Sequence, residues 1–178
     1  CSAINIPFVA FRYQNVYGAG QSLSNPYTGI LAVFSNLIKQ NKSINIFEDG
    51  KESRDFVYVD DVVSATIAGI EKEKANNEIF NIGFGVSTDV LTVAKTLMKH
   101  YNNEVDFTIS GNFRKGDIRH NVADISKAKQ LLNYQPKYTF NDGIALFTQW
   151  VNEQNIDANS NQNYQQSLEE LKSKGLMK

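Results

Sequence analysis

Cysteine and histidine are scarce in this chain. Its 178 residues include one cysteine, Cys1, and two histidines, His100 and His120. A single cysteine excludes an internal disulfide framework and is typical of proteins from a reducing compartment. So few sulfur and imidazole ligands also argue against a structural zinc site. We therefore expect a cytoplasmic protein without a bound metal.

The chain also lacks excess charge and long apolar runs. Its net charge is -1 at pH 7 and its pI is about 6.2, which excludes the broad basic surface that attracts nucleic acid or anionic membranes. No apolar run approaches the roughly 18 residues that indicate a membrane span. We expect no nucleic-acid or membrane partner, so any cationic site must be local.

Two cationic turns are the most informative feature that the sequence does contain. Arg54 lies in the segment 50–62, GKESRDFVYVDDV, and Arg114 begins the segment 114–120, RKGDIRH. Guanidinium groups form fixed forks that match phosphate oxygens and keep their charge. Two arginines presented by separate turns suit a ligand with spread negative charge, such as a diphosphate.

Hydrophobic periodicity predicts strands and helices that alternate loosely, as in an α/β or α+β protein. Strands are predicted over residues 7–17, 44–47, 55–59, 79–82 and 105–109. Helices are predicted to begin at N-caps Thr28, Asp60 or Asp61, Thr88, Asp124, and Thr139 paired with Asp142.

Apolar residues at helical spacing mark one face of the predicted helices, as two examples show. The helix after Asp60 or Asp61 carries Val63, Ile67 and Ile70 on one face. Tyr164, Leu168 and Leu171 predict a last amphipathic helix after the polar segment 155–163.

Four ordered blocks resemble a known family. They are FRYQNVYGAGQ (11–21), ESRDFVYVDDV (52–62), FNIG (80–83) and RKGDIRHNVADISKA (114–128). Together they resemble the C-terminal part of the extended short-chain dehydrogenase/reductases, and more narrowly the nucleotide-sugar epimerases and dehydratases. The resemblance covers roughly residues 1–153. It implies an α/β fold: the last strands of a Rossmann-type parallel sheet plus a small α/β substrate-binding domain.

The resemblance also predicts how the chain is organised. Residues 1–154 form the substrate-binding portion, of which 1–21 belong to the edge of a Rossmann domain, and residues 155–178 are a polar linker and a C-terminal helix. The family's Gly-rich NAD motif is absent, and no tyrosine near residues 7–17 has a lysine four residues on. Tyr134 and Lys137 are three residues apart in a proline-bearing loop, which we interpret as coincidence. We therefore expect a fragment that carries no catalytic residue.

The implied activity is that of an NAD-dependent enzyme acting on a UDP- or dTDP-hexose, with 4-epimerisation through a 4-keto intermediate. The intact parent is expected to be a homodimeric enzyme and the fragment alone inactive. A 4,6-dehydratase, or a non-catalytic nucleotide-sugar sensor that kept the arginines, remains open as an alternative.

Matching the family's motifs residue by residue gives the candidate substrate site. Arg54, Arg114 and Asn15 match positions that hold the substrate diphosphate, and Asp117 matches an acid that holds ribose hydroxyls. Each has a simpler interpretation as well. Arg54 could form a surface salt bridge with Asp55 or Glu52, Arg114 could be solvated, and Asn15 or Asp117 could serve a turn.

Four further positions follow from the same matching. Phe56 stands where the commonest epimerase pattern has a tyrosine, which removes one possible substrate contact. Asn81 could touch the base or close a strand, and Thr28 falls near the segment that lines the uracil or thymine. Tyr13 matches a position beside the nicotinamide of NAD, or it is a core aromatic.

Overall fold

A computed structural model describes residues 2–24, 29–155 and 160–178 of the chain. The strands are β1 (Val9–Tyr13), β2 (Asn15–Tyr17), β3 (Ile44–Ile46), β4 (Ser53–Tyr58), β5 (Glu78–Ile82), β6 (Ser87–Asp89), β7 (Phe107–Ile109) and β8 (His120–Asn121). The helices are α1 (Ile30–Lys39), α2 (Val59–Glu71), α3 (Val90–Tyr101), α4 (Ser126–Leu132), α5 (Phe140–Asn152) and α6 (Ser160–Ser173).

Parallel pairing dominates the three small sheets. β1 pairs with β5, β2 with β4, and β3 with β7, each in parallel register. β4 also pairs with β6 in antiparallel and with β8 in parallel register. The two strands of each parallel pair are separated along the chain by at least one helix, which confirms the predicted α/β class.

The predicted strand over residues 7–17 is two strands in different sheets. β1 pairs with β5, and the backbone N–H of Gln14 still donates to the Ile82 carbonyl at 2.9 Å. Residues 15–17 then leave that sheet and pair with β4. The approximate alternation of apolar residues runs without a break through Gln14. Hydrophobic periodicity alone therefore could not show that the chain changes its pairing strand there.

Two hydrophobic clusters fill the interior. The larger lies among α1, α3, α5, β3 and β4, and its fully buried members include Ile38, Leu97 and Phe147. The smaller packs Phe80 and Ile82 of β5 against residues of α2 and α4. β4 contributes Phe56 and Tyr58 to the larger cluster and Val57 to the smaller one. The strand is therefore held from both sides.

Helix starts were predicted correctly at α5 and wrongly at α2. Thr139 Oγ1 accepts the backbone N–H of Asp142, as predicted. Neither Asp60 nor Asp61 caps α2, whose N-cap is Tyr58 without a side-chain bond. Asp61 instead is buried and accepts the backbone N–H groups of Lys137 and Tyr138 at 2.8 and 3.2 Å.

Two other caps lie one residue from their predicted place. Asp89, rather than Thr88, caps α3 by accepting the Thr92 backbone N–H at 2.7 Å. The residue directly before α4 is Ile125, while Asp124 accepts the Ser126 N–H at 2.9 Å. Thr28, the cap predicted for α1, lies outside the described residues, and Gly29 occupies the N-cap there.

The apolar stripe predicted on α2 faces outward. Val63, Ile67 and Ile70 are exposed, whereas α2 buries the small residues Ala65 and Gly69. A Cβ at Gly69 would lie 2.4 Å from Cζ of Phe11, so α2 approaches β1 too closely for a larger side chain. None of the helices in the described ranges has the length and apolarity that a membrane crossing requires.

Candidate nucleotide-sugar site

A cavity of about 260 Å³ brings together five of the residues that the sequence singled out. β2, β4 and the turn 114–117 supply them: Asn15, Arg54, Phe56, Arg114 and Asp117. Residues of α1, β3 and α6 complete the walls. Arg54 and Arg114 are far apart in sequence, so the fold itself has placed two guanidinium groups beside one cavity.

Arg54 is held by three acceptors at the edge of β4. Its Nη1 donates to the carbonyls of Ser53 and Arg119 at 3.0 and 3.1 Å, and its Nη2 donates to Asp117 Oδ1 at 2.7 Å. The ion-pair partner is therefore Asp117, and not Asp55 or Glu52. Because two of the three acceptors are backbone carbonyls, the guanidinium direction is fixed by the sheet.

Arg114 has a different environment. Its guanidinium carbon lies 5.8 Å from the centre of the Phe47 ring, a cation–π distance. Within the described part of the chain no carboxylate forms an ion pair with it. Its charge is therefore available to an anionic ligand in the cavity.

Asp55 is a structural anchor beneath this site, and the sequence reasoning missed that role. The side chain is fully buried and accepts the backbone N–H groups of Phe84, Gly85 and Ala123 at 2.7, 3.0 and 3.2 Å. A Cβ at Gly83 would lie 2.3 Å from its Oδ2. The available signal was an aspartate directly before the apolar run 56–59, since a carboxylate buried there needs several donors.

Two further cavity residues were also missed. Asn45 Oδ1 and Glu52 Oε2 are buried in the cavity wall and have no hydrogen-bond partner among the described residues. Burial raises the pKa of the Glu52 carboxyl, and the nearby Glu48 and Asp49 carboxylates raise it further. Sequence alone does not show these two orphaned atoms, because they depend on which side chains surround them.

Glu48, Asp49 and Glu52 also form an acidic group whose ligand atoms lie within 4.8 Å of one another. Arg119 bonds Glu48 Oε2 at 2.5 Å and Asp49 Oδ2 at 2.7 Å. The hydrogen bond to Arg119 holds the pKa of Asp49 below its usual value. The guanidinium thus supplies the positive charge that this group needs, and we interpret it as an ion-pair cluster.

The remaining candidates lie elsewhere or were not described. Asn81 on β5 donates to the Asp124 carbonyl at 3.4 Å and does not line the cavity. Tyr13 on β1 is partly exposed and shares a 2.8 Å hydrogen bond with the Thr66 hydroxyl. Thr28 falls outside the described residues, although the adjacent Gly29 lines the cavity.

Tyr134 has a structural position, in keeping with the interpretation of its spacing to Lys137 as coincidence. It is buried and donates a hydrogen bond to the Gly83 carbonyl at 2.9 Å. Burial raises the pKa of its hydroxyl, so little phenolate forms that could act as a base at neutral pH.

Comparison with known proteins shows which family the chain is similar to. The profile described as "NAD dependent epimerase/dehydratase family" matches residues 1–83. The dTDP-L-rhamnose 4-epimerase of Burkholderia thailandensis is 40% identical over 149 residues, which are 84% of this chain and 41% of that protein. The chain is similar to the NAD-dependent epimerase/dehydratase family over these segments.

Solved structures agree with this similarity. UDP-glucose 4-epimerase of Thermotoga maritima, solved with UDP-glucose, has a TM-score of 0.72 and 36% identity, covering 83% of this chain and 47% of that one. UDP-glucuronic acid 4-epimerase of Bacillus cereus, solved with UDP-glucuronic acid and NAD, has a TM-score of 0.77 and 29% identity, covering 85% and 47%. The chain thus spans less than half the length of these relatives.

NAD is the cofactor named in the family's description. The described residues do not by themselves form a dinucleotide site. Their nearest candidate, the glycine turn Gly18-Ala19-Gly20, follows β2 but does not open directly into a helix, because α1 begins only at Ile30. A dinucleotide fingerprint needs its glycines at a helix N-terminus, where the pyrophosphate binds.

Proposed function

We infer that this chain binds the diphosphate of a UDP- or dTDP-hexose between Arg54 and Arg114. The observation that carries the inference is their place beside one cavity, with a single carboxylate, Asp117, paired to one of them. Arginine forks suit diphosphate oxygens, and charge-assisted hydrogen bonds are about twice as strong as neutral ones.

The charges in the cavity suit this ligand. Of the two guanidinium groups beside the cavity, only that of Arg54 is paired with a carboxylate among the described residues. Asn15 would donate its amide to the diphosphate and Asp117 would accept a ribose hydroxyl. Phe56 supplies an apolar wall. The roles of Thr28 and Asn81 at the base, and of Tyr13 beside the nicotinamide, stay predictions.

In the parent protein we assign this chain to the substrate-binding portion, residues 1–154, of a homodimeric cytoplasmic sugar epimerase. Holding the non-reacting diphosphate positions the reacting sugar carbon, which is how remote binding energy serves catalysis. A hexose held loosely can present either face, as 4-epimerisation through a 4-keto sugar requires.

Titration calorimetry with UDP and with dTDP tests the proposal on wild type, Arg54→Gln and Arg114→Gln. Each variant should bind about 10- to 100-fold more weakly, because a charge-assisted hydrogen bond contributes roughly 1.5–3 kcal/mol. Arg12→Gln is the matched control, since Arg12 is an exposed arginine on β1 outside the cavity. Its affinity should equal that of wild type.

Two results would contradict the proposal. One is a wild-type chain that binds neither nucleotide. The other is an equal loss of affinity in all three variants, which would indicate nonspecific attraction of the anion by surface charge.

A further inference from the structure

The C-terminal arm, defined here as α6 and residues 174–178, lies against the cavity. Tyr164, Ser167, Leu168 and Leu171 follow the i, i+3, i+4, i+7 spacing of one helix face. Three of them, all except Leu168, line the cavity with Arg54 and Arg114. Leu168 is buried beside them. One wall of the candidate site is therefore made by the last helix of the chain.

The end of the arm also pairs with the turn that carries Arg114. Gly175, with φ of 65°, reverses the chain after α6. Phe113 and Lys178 then exchange two backbone hydrogen bonds of 2.8 and 3.0 Å, and the Lys115 N–H donates to the Leu176 carbonyl at 2.9 Å. These bonds flank Arg114, which itself faces Met177 in an antiparallel bridge.

A side-chain interaction connects the same two segments. Burial raises the pKa of the Tyr164 hydroxyl, and the positive charge of Arg114 partly opposes that rise. The phenol and the guanidinium are thus close enough to interact electrostatically. The arm bonds the turn of Arg114 through its backbone at one end, and at the other it places Tyr164 beside the same cavity.

We propose that the C-terminal arm is part of the nucleotide-diphosphate site, where it fixes Arg114 and closes one wall, so that arm docking and ligand binding favour each other. An arginine on a free turn must be ordered when the ligand binds, and that ordering weakens affinity. The coupling is reciprocal, because a ligand that binds better with the arm docked must also stabilise the docked arm. This inference rests on the proposed function.

The arm can be removed without removing the core. Neither hydrophobic cluster contains a residue of the arm. A chain that ends at residue 159 should therefore fold. Leu168→Asp gives a second route, since it places a charge at the buried face of α6 in the full-length chain. Ile70→Asp is its control, because it adds the same charge at an exposed side chain of α2, outside the arm and the cavity.

Titration with UDP should show affinity about tenfold weaker for the shortened chain and for Leu168→Asp. The Ile70→Asp control should stay within twofold of the wild-type chain. In the full-length chain, saturating UDP should slow hydrogen exchange at the amides of Phe113, Lys115 and Lys178. A merely structural arm would show no such response to ligand.

The outcomes separate this inference from the proposed function. If the full-length chain binds UDP and the shortened chain binds it equally well or more tightly, the arm is not part of the site and the proposed function stands. Unchanged exchange at the three amides on UDP binding would also overturn the coupling. If the full-length chain does not bind UDP, the proposed function fails and this inference fails with it.

Discussion

Glu52 is the residue whose chemistry depends most on its surroundings. Only 8% of it is exposed, and its Oε2 has no hydrogen-bond partner among the described residues. Its pKa is raised chiefly by burial, so the folded state holds the proton more firmly than the unfolded state. The carboxyl therefore favours folding below its unfolded pKa, and this contribution is lost as pH rises through the folded pKa.

Glu52→Gln should stabilise the protein at neutral pH and leave it nearly unchanged near pH 4. The amide removes a charge that burial disfavours, which should contribute about 1 kcal/mol, the lower end of the cost of an unsatisfied buried polar group. Urea unfolding at both pH values measures the difference. A variant that is less stable than wild type at pH 7 would contradict the expected sign.

The Arg54–Asp117 ion pair predicts a change in ligand preference. In Asp117→Asn, Arg54 loses its anionic partner, so inorganic pyrophosphate should bind about two- to fivefold more tightly, the value of a partly exposed pair. UDP should gain less, because the ribose loses a charged acceptor. Calorimetry with both ligands gives the ratio of affinities, and an unchanged ratio would argue against ribose recognition by Asp117.

At the residue scale, the sequence could identify several cavity residues because they lie in the blocks that resemble the family. These residues are Asn15, Arg54, Phe56, Arg114 and Asp117. The sequence could not identify Asn45 or Glu52, whose interest lies in unsatisfied atoms that only the packed structure reveals. Nor could it show that the partner of Arg54 is Asp117, since loop conformation decides which carboxylate comes within reach.

At the element scale, α5 packs very closely on β2. A Cβ at Gly143 would lie 2.1 Å from Oη and 2.9 Å from Cζ of Tyr17. Tyr17 is buried, and its hydroxyl donates to the Phe140 carbonyl at 3.3 Å. The glycine is thus required by contact between elements, although it lowers helix propensity by about 1 kcal/mol relative to alanine.

Gly143→Ala should therefore destabilise the fold by about 1–3 kcal/mol of overpacking, reduced by the gain in propensity. Adding Tyr17→Phe removes the nearest clashing atom, so the double variant should be more stable than the sum of the two single changes predicts. A double-mutant cycle in urea measures the coupling. Tyr58→Phe, which removes the hydroxyl of another tyrosine in the same cluster, is the control and should give little coupling.

Element types were more predictable than element ends. Thr139 caps α5 because a local pair with Asp142 satisfies both side chains. Asp61 looked equally suitable for α2, but distant backbone N–H groups at Lys137 and Tyr138 bind it instead. Local chemistry predicts that an aspartate will accept N–H groups, and tertiary structure decides which ones.

At the scale of the whole molecule, the predicted class and parallel pairing were confirmed, while the division of residues 7–17 between two sheets was not foreseen. This division separates Tyr13 from Asn15 and sends only the latter to the cavity. The outward apolar stripe of α2 also depends on contacts between elements. The close contact of Gly69 with Phe11 decides which face of α2 is buried.

The last prediction concerns catalysis by the 178-residue chain. Supplied with NAD and UDP-glucose or dTDP-L-rhamnose, it should show no epimerisation by NMR over hours. The sequence has no G-x-x-G-x-x-G motif after a strand and no tyrosine followed four residues later by lysine. The arginines can bind a nucleotide sugar, but binding without a group that moves the sugar's proton does not lower the barrier. Turnover that persists after repurification, and that is lost in Arg54→Gln, would show that this chain carries its own catalytic groups.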